Sequence, residues 1–107
     1  MAYRKDKKVI YQIIQRYVDT LRMNSIPVWR IYLYGSYAKN TYHEDSDIDL
    51  AVFWDKDDIE GFDENVQLMK LTRNVDLRIE PHSFARNDFD ETNPVIKEII
   101  EAGERII

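Results

Sequence analysis

The feature that most restricts this chain is a switch in hydrophobic period. Between residues 4 and 23, Ile10, Ile13, Ile14, Tyr17, Val18 and Leu21 fall at i, i+3, i+4, i+7, i+8 and i+11, which is one face of a helix. Asn24, Ser25 and Pro27 end that pattern. From Val28 to Tyr34 the residues are β-branched and aromatic, which predicts a strand, and Gly35 breaks it. Ser36 is placed to cap a short helix running to about Asn40. A second strand follows from Asp47 to Trp54. Its period of two sends Ile48, Leu50, Val52 and Trp54 one way, and Asp47, Asp49, Ala51 and Phe53 the other.

The rest of the chain continues the alternation. Asp57 to about Lys70 reads as a helix with Ile59, Phe62, Val66 and Met69 on its apolar face. Val75 to Glu80 reads as a third strand, with Val75, Leu77 and Ile79 inward and Asp76, Arg78 and Glu80 on the other side. Asn93 followed by Pro94 is a helix start. That helix runs to about Ala102, where Gly103 stops it, and Glu104 to Ile107 adds a short edge strand. Helices alternating with strands predict an α/β (α+β) arrangement around a small sheet.

At 107 residues there is room for one domain, residues 1–107, and its core is thin enough to leave apolar surface for a partner. With no cysteine, disulfides, thiolate metal sites and thiol catalysis are excluded. No apolar run approaches membrane-spanning length and the charged start is unlike a secretion signal, so a cytoplasmic location is expected. The formal net charge of −5 leaves no basic face for a nucleic-acid backbone; the one basic cluster is Arg4, Lys5, Lys7 and Lys8. The segment from Glu44 to Glu64 instead carries ten acidic residues and one lysine. Most of that run is ordinary solvated surface, but an acidic centre also attracts divalent cations.

Three of the acids carry a sharper reading. Asp47 and Asp49 share a strand face, roughly 7 Å apart at Cα. Asp76 projects from the polar side of the expected third strand, and on neighbouring strands about 4.8 Å apart all three would converge. Mutually repelling carboxylates of that kind suit Mg²⁺, a hard cation that prefers oxygen ligands. Two such ions about 3.5–4 Å apart would serve an attacking and a leaving oxygen. Gly35-Ser36, at the passage from strand to helix, offers backbone N–H groups to a phosphate, and Lys39 lies one turn on. Each piece alone is an ordinary turn or loop. His43 and His82 lack metal-ligand spacing and read as loop or surface residues. Glu80 reads as a salt-bridge partner of Arg78 or Arg73, or as a further neighbour of the metal. Tyr32, Tyr34, Tyr37 and Tyr42 read as packing residues. No Walker loop or dinucleotide fingerprint is present.

Taken together, the segment GSYAKNTYHEDSDIDL from Gly35 to Leu50 resembles the signature of the DNA polymerase β nucleotidyltransferase superfamily: Gly-Ser, ten residues, then Asp-x-Asp. The Ser before the first Asp and the aliphatic residue between the acids match as well. So does Val75-Asp76-Leu77, as the later strand bearing a third acid. The resemblance extends over nearly the whole chain and is to the minimal nucleotidyltransferases, MNT, of the MntA-like antitoxin type. One departure is Asn40, where the family commonly has Gly; Asn tolerates left-handed backbone angles better than most residues.

The resemblance implies a palm-like nucleotidyltransferase fold, a small mixed sheet with helices packed mainly on one face. It implies metal binding by Asp47 and Asp49, with Asp76 completing the catalytic metal site and helping to deprotonate the acceptor. It gives Gly35 and Ser36 to the β- and γ-phosphates of ATP, Lys39 to a phosphate, and two Mg²⁺ ions to the site. It implies AMP transfer to an acceptor hydroxyl, a tyrosine of a helical HEPN toxin encoded nearby. Two other functions stay open: a non-catalytic antitoxin that masks its partner, and an aminoglycoside-type nucleotidyltransferase subunit.

Overall fold

The computed structural model describes residues 2–43 and 45–107, with side chains described from residue 7 onward, so the Arg4 and Lys5 side chains and Glu44 lie outside the described residues. The first helix, α1, spans Ala2–Met23. All six residues of its expected stripe are buried: Ile10, Ile13, Ile14, Tyr17, Val18 and Leu21. Strand β1 spans Val28–Tyr34, the one-turn helix α2 Ser36–Lys39, and strand β2 Ile48–Trp54. Helix α3 spans Phe62–Thr72, strand β3 Ile79–Phe84, helix α4 Pro94–Ala102 and strand β4 Glu104–Arg105. A single 3-10 turn at Arg86–Asp88 follows β3.

The four strands form one mixed sheet in the order β3-β2-β1-β4. β1 runs antiparallel to β2 and to β4, whereas β3 runs parallel to β2, a pairing that requires a crossover such as α3. Ile31, Leu33, Ile48, Leu50, Val52, Trp54 and Ile79 form one sheet face and pack with α1 and with Leu68 of α3. Tyr32, Ala51 and Phe53 form the other and pack with Ile96 and Ile99 of α4. Three of the helices thus contribute to the first face, and among the described residues the nine-residue α4 is the helix on the second, with Phe89 packed beside it. The Tyr17 hydroxyl donates to the Leu68 carbonyl at 2.8 Å, tying α1 to α3.

The C-terminal helix has the expected start and end, and the edge strand is shorter than expected, Glu104–Arg105 instead of Glu104 to Ile107. Asn93 Oδ1 accepts from the Val95 N–H at 2.9 Å, with Pro94 as the first helical residue. Arg105 pairs with Tyr32 at the sheet edge.

Three expectations are corrected. Helix α3 begins at Phe62 instead of Asp57, because its first turn is organised by Glu64, whose carboxylate accepts from the Gly61 N–H at 2.9 Å. Its buried face is Glu64, Leu68 and Thr72, whereas Phe62, Val66 and Met69 are exposed. The third strand begins at Ile79 instead of Val75. Residues from Arg73 to Arg78 form turns closed by Asp76 N–H to Thr72 O at 2.9 Å and Ile79 N–H to Asp76 O at 3.2 Å. β3 is an edge strand, so Pro81, which lacks an N–H, is tolerated within it.

Candidate active site

The site forms where β1 ends and β2 begins. In the ladder, Tyr34 lies opposite Asp49, and Asp49 lies opposite Glu80. These three side chains share the sheet face that Ala51 and Phe53 occupy further along, away from α1 and α3. Asp47 precedes Asp49 by two residues and joins the same side, its carboxyl beside that of Glu80. His82 follows, opposite Ala51, with its ring 6.1 Å from that of Tyr34.

Gly35 abuts the acids directly. Its φ of 73° and ψ of −149° are angles that glycine adopts readily and other residues do not. A Cβ placed there would lie 2.3 Å from Asp49 Oδ2. The turn and the second aspartate are therefore in contact, and only a residue without a side chain permits it. Gly35 itself caps α2, and Ser36 is the first helical residue rather than the expected cap. Asn40 closes α2 in the left-handed conformation, φ 59° and ψ 28°, so the turn survives the absence of glycine there. Lys7 secures this end of α2, donating to the Tyr37 carbonyl at 2.6 Å and to Asn40 Oδ1 at 3.0 Å. The loop before Asp47 is held by Ser46, whose Oγ accepts from the His43 N–H at 2.9 Å while its own N–H donates to the His43 carbonyl.

The electrostatics follow from this crowding. The Glu80 carboxyl is pushed above its ordinary range, first by its hydrogen bond to Asp47, with burial and the charges of Asp47 and Asp49 adding to it. Asp49 is pushed up by partial burial and then by Asp47, with His82 opposing. Tyr34 is raised to about 12 by burial and by the charges of Asp49 and Glu80. Each shift reports a place where negative charge is poorly tolerated without a counter-ion.

Asp76 is elsewhere. Its two carboxylate oxygens accept from Arg78 Nε at 3.2 Å and Nη2 at 3.0 Å, and one also accepts from the Arg78 N–H at 2.8 Å. Arg78, aided by Arg16, holds its carboxyl below the usual range. The expectation that Asp76 shares a strand face with Asp47 and Asp49 fails because the strand starts three residues later, and the acid that registers with Asp49 is Glu80. The sequence carried the signal: Glu80 lies in the same alternation, but the two acids are exchanged in their roles, Asp76 taking the salt bridge expected of Glu80. Lys39 pairs with Glu98 of α4 at 3.0 Å, both side chains being well exposed.

Among the described residues no three His, Asp or Glu side chains already form a closed ligand set. The donors at the site nonetheless suit a hard divalent cation. They are carboxylate oxygens crowded at one place, and Asp49 and Glu80 have raised proton affinity. A cation there would offset the mutual repulsion of these carboxylates.

A mixed sheet with acids at the mouth of its central strand, beside a glycine turn, defines a nucleotidyltransferase-type α+β fold. The chain belongs to the polymerase β nucleotidyltransferase family, whose pattern matches residues 14–107. Among solved structures it is similar to a candidate nucleotidyltransferase of Sulfolobus solfataricus, with a TM-score of 0.69 and 15% identity over 85% of this chain and 80% of that one. It is also similar to a chain of a toxin–antitoxin complex crystallised with AMP-PNP (TM-score 0.62, 24% identity, 91% of this chain and 72% of that one). A third is a chain of a mutant toxin–antitoxin MntA–HpeT complex (TM-score 0.60, 22% identity, 87% and 71% covered). At such identities the likeness is one of fold. No curated protein sequence matches the chain significantly. No helix among the described residues is long and apolar enough to cross a membrane.

Proposed function

We propose that this chain is a metal-dependent nucleotidyltransferase that moves AMP from ATP to a hydroxyl, the acceptor being a tyrosine of a helical HEPN-type toxin for which it serves as antitoxin. The observation that carries the reading is the in-register pair Asp49 and Glu80, with Asp47 beside Glu80 and Gly35 against Asp49. Membership of the family supports the reaction class, and the AMP-PNP and toxin–antitoxin neighbours support the donor and the kind of partner.

Asp47, Asp49 and Glu80 would hold Mg²⁺, with Glu80 in place of Asp76. When bound, the metal supplies charge neutralisation at the phosphates and lowers the pKa of the acceptor hydroxyl. The backbone of Gly35 and Ser36 orients the β- and γ-phosphates, with Lys39 available once it leaves Glu98. The acceptor oxygen attacks the α-phosphorus and the bond to the bridging oxygen breaks. Pyrophosphate leaves with that electron pair, and a site carboxylate takes the acceptor proton. Catalysis is then positioning and electrostatics rather than covalent chemistry.

The test is label transfer from α-labelled ATP to a co-purified partner. Asp47→Asn with Asp49→Asn should abolish transfer and neutralisation together. Undiminished neutralisation by that inactive variant would establish the alternative, an antitoxin that masks its partner. Turnover of an aminoglycoside by the purified chain would point to the small-molecule enzyme.

A further inference from the structure

The outer face of α3 carries an apolar ridge that nothing among the described residues covers. Phe62, Val66 and Met69 are 76%, 37% and 48% exposed, and Leu77, from the turn after the helix, is 79% exposed. They line a groove of about 370 Å³ with Lys70 and Arg73 at its rim. Four of the seven exposed large apolar side chains among the described residues lie here, so this is a patch and not scattered exposure.

The charges around the ridge identify what covers it. At about 100° per residue, Phe62, Val66, Met69 and Arg73 fall within an arc of about 60°, and Asp63 and Lys70 both flank it on one side. The acid is at the N-terminal end of α3 and the bases are at the C-terminal end. Two copies related by a two-fold axis perpendicular to the helices keep each flank on its own side and reverse the helix direction. Centred between Val66 and Gln67, that operation sets Asp63 of each copy beside Lys70 of the other. It packs Val66 and Met69 across the axis and lays each Arg73 against the opposite Phe62 ring. An unrelated acidic helix would satisfy Lys70 and Arg73 but would meet Asp63 with like charge.

We infer that the exposed face of α3 is a self-association surface, pairing antiparallel with α3 of a second copy of this chain. The acids of the candidate active site are on the opposite side of the sheet, so both sites of the dimer stay open. The contact is one helix crossing, small for an obligate interface, so the dimer is reversible and concentration-dependent.

Sedimentation equilibrium of the purified chain should show a monomer–dimer exchange. Asp63→Lys alone and Lys70→Asp alone should each weaken it about 10-fold or more, as like charges then meet twice per dimer. The double variant carrying both swaps should recover the parental affinity, with circular dichroism showing α3 intact in all three. The natural chain has no cysteine, so Val66→Cys should form a disulfide-linked dimer under mild oxidation, whereas Met23→Cys, on an exposed helix end, should not. A monomer at millimolar concentration, or a double swap as weak as the singles, overturns the proposal. So does a monomer whose Phe62→Glu variant fails to bind a separate partner protein, which would assign the face to that partner.

Discussion

Gly35→Ala tests whether the turn at the end of β1 serves folding or the site. The backbone there has φ 73° and ψ −149°, and holding a non-glycine residue in such a region costs roughly 1–3 kcal/mol. For a domain of this size that lowers Tm by about 4–20 °C. A second effect is local. The new Cβ would be 2.3 Å from Asp49 Oδ2, against an ordinary C···O separation of about 3.3 Å. The nearest atom is the tip of a side chain, so Asp49 yields, by about 1 Å, and a displacement of that size at a reacting centre costs about 100-fold in rate. Gly61→Ala is the control. It imposes a comparable backbone penalty, φ being 95°, with no atom within 4 Å of the new Cβ. Both variants should melt early; below both transitions, only Gly35→Ala should lose AMP transfer and magnesium-dependent ATP binding. Equal activity of the two variants would refute the reasoning, because Asp49 would then not need the space that glycine leaves.

Three further outcomes follow from the structure. Glu80→Gln should reduce transfer by about 100-fold or more, whereas Asp76→Asn should leave it within about three-fold while costing about 0.2–1 kcal/mol of stability, the range for a partly exposed pair; urea titrations and initial rates separate the two, and the reverse ranking would restore Asp76 to the site. The folded pKa of Asp76 is depressed by Arg78, so its contribution is present above the unfolded carboxylate value and is lost as pH falls through the folded one; Asp76→Asn should therefore lower stability at neutral pH, leave it little changed at the acid end, and so flatten the acid limb of a stability–pH curve. Tyr17→Phe should cost about 1–2 kcal/mol in urea unfolding, since the buried hydroxyl donates to the Leu68 carbonyl, and an unchanged midpoint would mean that α1 and α3 are held by apolar contact alone.

Phe62, Val66 and Met69 have helical spacing and were the natural candidates for the core. Leu68 and Thr72 form a second stripe on the same helix, and period alone does not rank the two. The choice is made by partners distant in the chain: Tyr17 bonded to the Leu68 carbonyl, and Asn65 Oδ1 accepting from the Ser83 N–H at 2.8 Å. At β3 the residues from Val75 to His82 alternate, so the pattern by itself does not place the start of the strand. The register with β2 sets the start at Ile79, and Asp76 is drawn into a turn by Arg78.

What the sequence determined by itself is whatever rests on neighbours along the chain. The stripe of α1, the alternation in β2 that separates Asp49 from Leu50, the Asn93–Pro94 helix start and the Gly-Ser to Asp-x-Asp spacing all belong there. They follow from backbone periodicity and local hydrogen bonding, which residues a few positions apart specify. Tertiary structure alone decided which third acid stands beside Asp49, which face of α3 is buried, and that Gly35 makes room for a carboxylate fourteen positions later. Each of these depends on strand register and on side chains meeting across the sheet, and a shift of register by a few residues exchanges one acid for another without disturbing the local pattern.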